Sequence, residues 1–450
     1  MTIIYDNGAT DPYSGTSDAN YNAALQSTLT SVVGEANYDV GHLMAGIGNN
    51  GNAGCIGCVC VNGSKGSGFT TSTVPYGEAF DVDYVAHEIG HQFGANHTFS
   101  HGSEGTGVNK EVGSGVTVMG YAGITPYDTH LNSIDVFHSA SIAQVQANMA
   151  SKSCPTVTAI THSAPNVNAG ADFTIPISTP FMLTGSATDA GGTGGMTYTW
   201  EQNDNVGTQT GANSGARENK TQGPNWSCYP DTSSPIRHFP IITSTLANSR
   251  ITPGLDVNRE ASSNVGRTLN FRLTVRDNVL GIGQTNFDDM VVTVDAARGP
   301  FNVTSQNTTG INYQQGSTQT VTWAVNNTTL LPGSANVDIY LSTDGGYTYP
   351  ITLISNTPND GSQNVVIPNV FATNCRIMVK PTGNIYYDIN TTDFAIGYSI
   401  SNVCNTYTAT PNASLSGTGY VGYSLNIPDN FVITDFNVSA NVTAGRTNNV

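Results

Sequence analysis

Charge is scarce in this chain: Asp, Glu, Lys and Arg make up only 10% of its 450 residues. Basic residues are the rarer sign, 15 against 32 acidic ones, for a formal net charge of −17. Such a balance repels nucleic-acid phosphates and anionic lipid heads, so neither is expected as a partner. No apolar run approaches the roughly 18 residues that a membrane-spanning helix needs, so no membrane span is expected. The opening Met1-Thr-Ile-Ile-Tyr5 lacks the basic stretch and long apolar core of a signal peptide and reads as a strand. No Gly-x-Ser-x-Gly elbow supports Ser/His/Asp catalysis, and no short-period repeat or coiled coil is present.

What the chain does have is glycine, 49 residues of it, with abundant Asn, Ser and Thr. That composition suits many short strands joined by turns. The length predicts about three domains. The seven cysteines are Cys55, Cys58, Cys60, Cys154, Cys228, Cys375 and Cys404, so at least one lacks an internal partner. Cys55-Ile-Gly-Cys58-Val-Cys60 has no second Cys pair or nearby His to complete a tetrahedral metal site. Disulfides in an oxidising compartment are expected instead, with Cys154 bridging to one of the three.

Helical signals are confined to the first third. Ala24, Leu25, Leu29 and Val32 recur at helical spacing within 17–33, and helices are also predicted over 81–93 and 139–149, with a strand over 38–44. Beyond Cys154 the text turns to Thr/Val/Asn alternation with regular turn signals, the pattern of antiparallel sandwiches. Strand candidates there include 196–200, 269–275, 319–323 and 337–341, with an irregular polar stretch at 203–264. The predicted domains are 1–158, 164–296, 297–399 and a partial β module at 400–450. Trp200 and Trp323 read as sandwich-core anchors. Asp189, Asp277 and Asp344 sit in turns that could hold Ca2+, although turn capping explains them equally well.

The chemistry lies in Val85-Ala-His87-Glu88-Ile-Gly-His91-Gln-Phe-Gly94-Ala-Asn-His97. At 100° per residue, Val82, Val85, Ala86, Ile89 and Phe93 share one helix face, while His87, Glu88 and His91 fall on the other. The prediction is a helix buried on its apolar side and armed on the opposite one. Imidazoles four residues apart stand one turn above each other and can reach a single Zn2+. Gly94 can end the helix in a left-handed conformation and bring His97 back as third ligand. Three His with one position left open is the catalytic arrangement of zinc, and Glu88 is placed to act as general base toward a metal-activated water. His42, His101, His130 and His138 are read as ordinary polar residues, because three ligands already satisfy such a site.

Residues 87–97 resemble the zinc signature of the metzincin peptidases, and Met119 in Gly115-Val-Thr-Val-Met-Gly-Tyr121 resembles their Met-turn. With Val118-Met-Gly-Tyr-Ala-Gly-Ile124 and Phe137-His-Ser-Ala-Ser141, the chain resembles the secreted reprolysin-like peptidases of bacteria, in which β-sandwiches commonly follow the catalytic domain. The resemblance implies a multidomain fold: an α/β metzincin-type catalytic domain followed by antiparallel, Ig-like β-sandwich domains. It implies a secreted zinc endopeptidase with Met119 as hydrophobic floor and Tyr121 touching the zinc or steadying the oxyanion. Protein or peptide substrates would lie along the exposed edge strand of the catalytic sheet. Relatives carry a strand, a long helix and another strand before the point where this chain starts. With 86 residues ahead of His87, the catalytic domain is therefore expected to be N-terminally incomplete. Residues 423–438 resemble the opening strands of a proprotein-convertase P domain. The alternative to a peptidase is an extracellular adhesion or surface protein with an inactive or vestigial peptidase domain.

Overall fold

A computed structural model describes residues 5, 7, 11–13, 18–160, 162–191, 195–398, 406–410, 424–427 and 437–439. The chain divides into two units, 1–400 and 401–450, and every element below lies in the first. The expected opening strand at residues 1–5 and the P-domain-like segment 423–438 fall largely outside the described residues.

Helix α1 (Tyr21–Thr28) runs on through a wider turn at Leu29–Val33, matching the expected helix apart from its first residues. It buries Tyr21 and Leu25, and Tyr21 meets Phe69 edge to face at 5.6 Å. Three short strands follow: β1 (His42–Ala45), β2 (Asn49–Asn52) and β3 (Gly68–Ser72). β3 is central and wholly buried, pairing in parallel with β1 and antiparallel with β2, which leaves β2 as an edge. A continuous helical stretch then comprises α2 (Glu78–Phe80), a wide-turn segment Asp81–Ala86, and α3 (His87–Phe93). Helix α4 (Ser139–Ala150) closes the region; the His138 Nδ1 accepts from the Ala140 amide at 3.1 Å and so caps its start. Cys60 is bridged to Cys154 and Cys55 to Cys58, each pair with Cα atoms 5.8 Å apart. Cys228 and Cys375 are free and buried, and Cys404 lies outside the described residues.

The rest of the unit is sheet. Strands Phe173–Pro176, Thr285–Asp295, Arg267–Arg276 and Thr197–Gln202 form one four-stranded sheet, faced by smaller pairs at Asn166–Asn168/Ser186–Thr188 and Phe181–Thr184/Ile236–Phe239. Farther along, Thr318–Ala324 and Ser362–Val366 pair on one side, while Asn336–Ser342 and Ala372–Pro381 centre the other sheet. Alternation along these strands sends every second residue inward, which fills the core with Trp200, Phe271, Leu273, Trp323, Ile339 and their neighbours. That core runs unbroken from Ala169 to Ile396. Strand Phe181–Thr184 joins the halves: Phe181 bridges Tyr386, and the Met182 amide donates to the Ile385 carbonyl at 3.0 Å. Both tryptophans anchor as expected, with Nε1 of Trp200 donating to Pro235 O at 3.0 Å and that of Trp323 to Asn359 Oδ1 at 2.7 Å. Asp344 caps its own turn: partial burial would raise its pKa, but hydrogen bonds from Ser342, Thr348 and the Tyr347 amide bring it down to about 2.

The irregular stretch 203–264 is not a free loop. Its Val206 amide donates to Asn109 O at 2.9 Å, Gly211 N to His101 O at 2.8 Å and Asp256 N to Asp128 O at 2.7 Å. Val112, Ala216 and Ala261 share a small apolar cluster. A sandwich insertion thus supplies backbone partners to the loops that carry the candidate site. Among the described residues, no helix is long and apolar enough to cross a membrane.

Candidate metal centre

Helix α3 ends at Gly94, whose φ of +115° reverses the chain and lets His97 return toward the helix. A Cβ at Gly94 would stand 2.8 Å from that of Asn148 on α4, so two demands converge on glycine here. His91 Nε2 lies 3.1 Å from His87 Nε2 and 3.0 Å from His97 Nε2. Each opposite ring nitrogen faces an oxygen: His87 Nδ1 is 2.7 Å from Val118 O, His91 Nδ1 2.7 Å from Ala95 O, and His97 Nδ1 2.8 Å from Glu104 Oε1. Those acceptors require the proton on Nδ1, which leaves three Nε2 lone pairs pointing at one another. Burial, reinforced by the neighbouring imidazoles, lowers the pKa of His87 to about 3 and of His91 to about 4, keeping both neutral. Neutral imidazoles with oriented, unprotonated Nε2 atoms are the donor set that Zn2+ takes, so the residues fit that ion.

The helix is not half-buried in the expected sense. His87, Glu88, Gly90, His91 and Gln92 are buried, whereas Val85, Ile89 and Phe93 are only partly so. On the armed face Glu88 crowds Gly51 of β2, Gln92 crowds Gly68 of β3, and His87 Nδ1 faces Val118 O, while Val82 and Ala86 pack with Val118, Met119, Phe137 and Val145.

Glu88 stands beside β2. A Cβ at Gly51 would lie 2.7 Å from Glu88 Cγ, and the Ala53 amide bonds its carboxylate. Burial raises its pKa to about 7, against that hydrogen bond. Met119 is fully buried, and a Cβ at Gly90 would meet its Sδ at 2.6 Å, so glycine between the two helical histidines makes room for the thioether. The Tyr121 ring lies 4.4 Å from that of His97 and 5.6 Å from that of His87. Burial, with Glu88 and Glu104 nearby, raises its pKa to about 12 and keeps the phenol protonated.

The other histidines do not join the triad. His42 bridges Gln92 Oε1 (2.9 Å) and Thr70 Oγ1 (2.8 Å), His101 stacks on Phe99 at 4.1 Å, His130 meets Arg259, and His138 caps α4. Three residues escaped the sequence reading: Glu104, which orients His97; Gly51, which yields space to Glu88; and Glu111. The Glu111 side chain is buried and takes the Val116 and Thr117 amides at 2.8 and 3.0 Å and the Thr98 and Thr117 hydroxyls. Only the glycines around the motif could have hinted at the crowding; no sequence spacing marks Glu104 or Glu111.

Residues 1–150 match the family model of the reprolysin-like M12B metallo-peptidases, a third of the chain. No curated protein matches. Among solved structures, fibronectin(III)-like modules of Clostridium thermocellum CbhA align at 8% identity over 54% of this chain and all of that one, with a TM-score of 0.16. The human desmocollin-1 ectodomain aligns at 11% identity, covering 54% of this chain and 43% of its own, with the same TM-score of 0.16. Likeness at that level carries no argument, and the sandwich description rests on the strand pairing itself.

Proposed function

Because residues 1–150 form a metzincin-like, reprolysin-type metallopeptidase region, we propose that this chain is a secreted zinc endopeptidase with His87, His91 and His97 as ligands and Glu88 as general base. The observation that carries this is the convergence of three Nε2 atoms within 3.0–3.1 Å of their neighbours, each ring oriented from behind by an oxygen. Bound there, zinc supplies Lewis-acid polarisation of a scissile carbonyl and lowers the pKa of water. Glu88 lies next to the triad in a buried, water-poor place, where its carboxylate can accept a proton and later return it to the leaving amine. The Tyr121 phenol, protonated and edge-on to the His97 ring, is placed to donate to a developing oxyanion. Met119 supports the rings from the Gly90 side.

The edge strand β2 runs past Glu88 and can take an extended peptide by strand addition. Main-chain pairing there would bring a carbonyl to the triad whatever the side chains, which suits protein substrates. The disulfides at Cys55–Cys58 and Cys60–Cys154 favour an oxidising, extracellular setting.

Casein hydrolysis should be abolished by a zinc chelator and restored by zinc. Glu88→Ala should lose about 10²–10⁴-fold in kcat/KM while still holding zinc. An adhesion protein with a vestigial site would show no chelator-sensitive hydrolysis, and Glu88→Ala would leave its behaviour unchanged.

A further inference from the structure

A second cluster of ligating side chains lies where the chain passes from the catalytic region into the first sandwich. His162 Nε2 is 3.2 Å from Asp189 Oδ1 and 3.1 Å from Asp277 Oδ2. Asp189 follows strand Ser186–Thr188 and Asp277 follows strand Arg267–Arg276, so two strand ends and the linker meet. The two carboxylate side chains are 0% and 1% exposed, and the imidazole 13%.

These groups are short of partners. His162 Nε2, Asp189 Oδ2 and Asp277 Oδ2 are buried and make no hydrogen bond, because the ring nitrogen faces between the two carboxylates. The other carboxylate oxygens are in use and pin the cluster. Asp189 Oδ1 accepts from Gly191 N at 2.6 Å, and Asp277 Oδ1 from Val279 N at 3.2 Å and Gln284 N at 2.8 Å. The Gln284 amide donates to the His162 carbonyl, and a Cβ at Gly191 would strike the ring at 2.5 Å.

An imidazolium between the aspartates would leave one excess negative charge and two unsatisfied carboxylate oxygens in the interior, each of which is costly. A divalent cation balances both carboxylates and partners every free atom. Tetrahedral ligands held at roughly 2.1 Å stand roughly 3.4 Å apart, close to the 3.2 and 3.1 Å between the imidazole and each carboxylate. The imidazole decides the class of ion: calcium takes a shell of six to eight oxygens, whereas zinc accepts nitrogen and carboxylate together. Asp189 Oδ2, unpartnered and buried, is available as a fourth donor.

We propose that His162, Asp189 and Asp277 form a second zinc site, distinct from the His87/His91/His97 triad, that fastens the interdomain linker to the end of the sandwich. The site stands whether or not the triad is a peptidase centre.

Native mass spectrometry of the full chain, loaded with zinc and exchanged into metal-free buffer, should find two zinc ions. A His87→Ala/His91→Ala chain should keep one and melt at a higher temperature with zinc than after chelation. Adding His162→Ala and Asp277→Asn to it should remove both the ion and that shift. No zinc in a cooperatively melting His87→Ala/His91→Ala chain overturns the proposal. So does an ion that survives the added substitutions, or a site that binds calcium in preference to zinc. Absence of casein hydrolysis by the unsubstituted chain with both ions bound would sink the peptidase reading and leave this one standing.

Discussion

The first 160 residues and the sandwiches are held together by different physics. Between Ala169 and Ile396 the strands share one apolar core with three buried tryptophans and a file of Phe, Leu, Ile and Val. The catalytic region has nothing comparable: around its helix the buried apolar cluster is Ala95, Val118 and Met119, with Val82, Ala86, Phe137 and Val145 packed on it. What it buries instead is polar, including Thr98, Glu111, Thr117, His87 and His91, each with an assigned partner. A core of oil tolerates local change through repacking; a core of hydrogen bonds does not, because each lost partner leaves a desolvated group behind. The catalytic region and the sandwich also exchange partners: the Val206 and Gly211 amides donate to Asn109 O and His101 O, and the Ser139 amide donates to the buried Glu201 carboxylate.

Substitutions on the two sides should therefore fail differently. The largest loss of stability is expected from Trp323→Ala, about 3–5 kcal/mol from a filled apolar site. It should lower the melting temperature of the main unit with a smaller effect on zinc content, and an unchanged melt would show that the sandwich core is not what holds that half. Glu111→Ala removes one carboxylate but orphans two amides and two hydroxyls, on the order of 3 kcal/mol. Its signature should be hydrogen exchange and proteolysis concentrated in 97–121 with activity lost, and uniform loosening of both regions would erase the contrast drawn above. Gly90→Ala is the smallest: helix propensity gains up to about 1 kcal/mol while crowding against Met119 costs about 1–3 kcal/mol. Stability should barely move while kcat falls, and an unaltered kcat would remove Met119 from any part in shaping the triad.

Much of this was legible in the sequence. The helix over 81–93, its stop at Gly94, α4, and the alternating strands around Trp200 and Trp323 follow from periods of 3.6 and 2 residues, which are local properties. The Cys60–Cys154 pairing was one of three that the spacing left open. What could not be read is non-local. The deeper burial of the armed helix face comes from segments distant in sequence, with Gly51 against Glu88, Gly68 against Gln92 and Val118 O facing His87. Glu104 reaches His97 by a turn that no spacing rule specifies. The insertion at 203–264, irregular by every local signal, is ordered by partners in another region. Asp189 and Asp277 read equally well as calcium ligands or turn caps, and each does cap a turn with one oxygen; only the fold shows that His162 comes between them.

The account turns on where the three Nε2 atoms point. Crystals of the zinc-loaded chain, measured on both sides of the zinc absorption edge, locate the ion directly. An anomalous peak roughly 2.1 Å from Nε2 of His87, His91 and His97 together, with Glu88 alongside but not bound, is the predicted result. A map without a peak there, or with the His97 ring turned away from the other two, would contradict it.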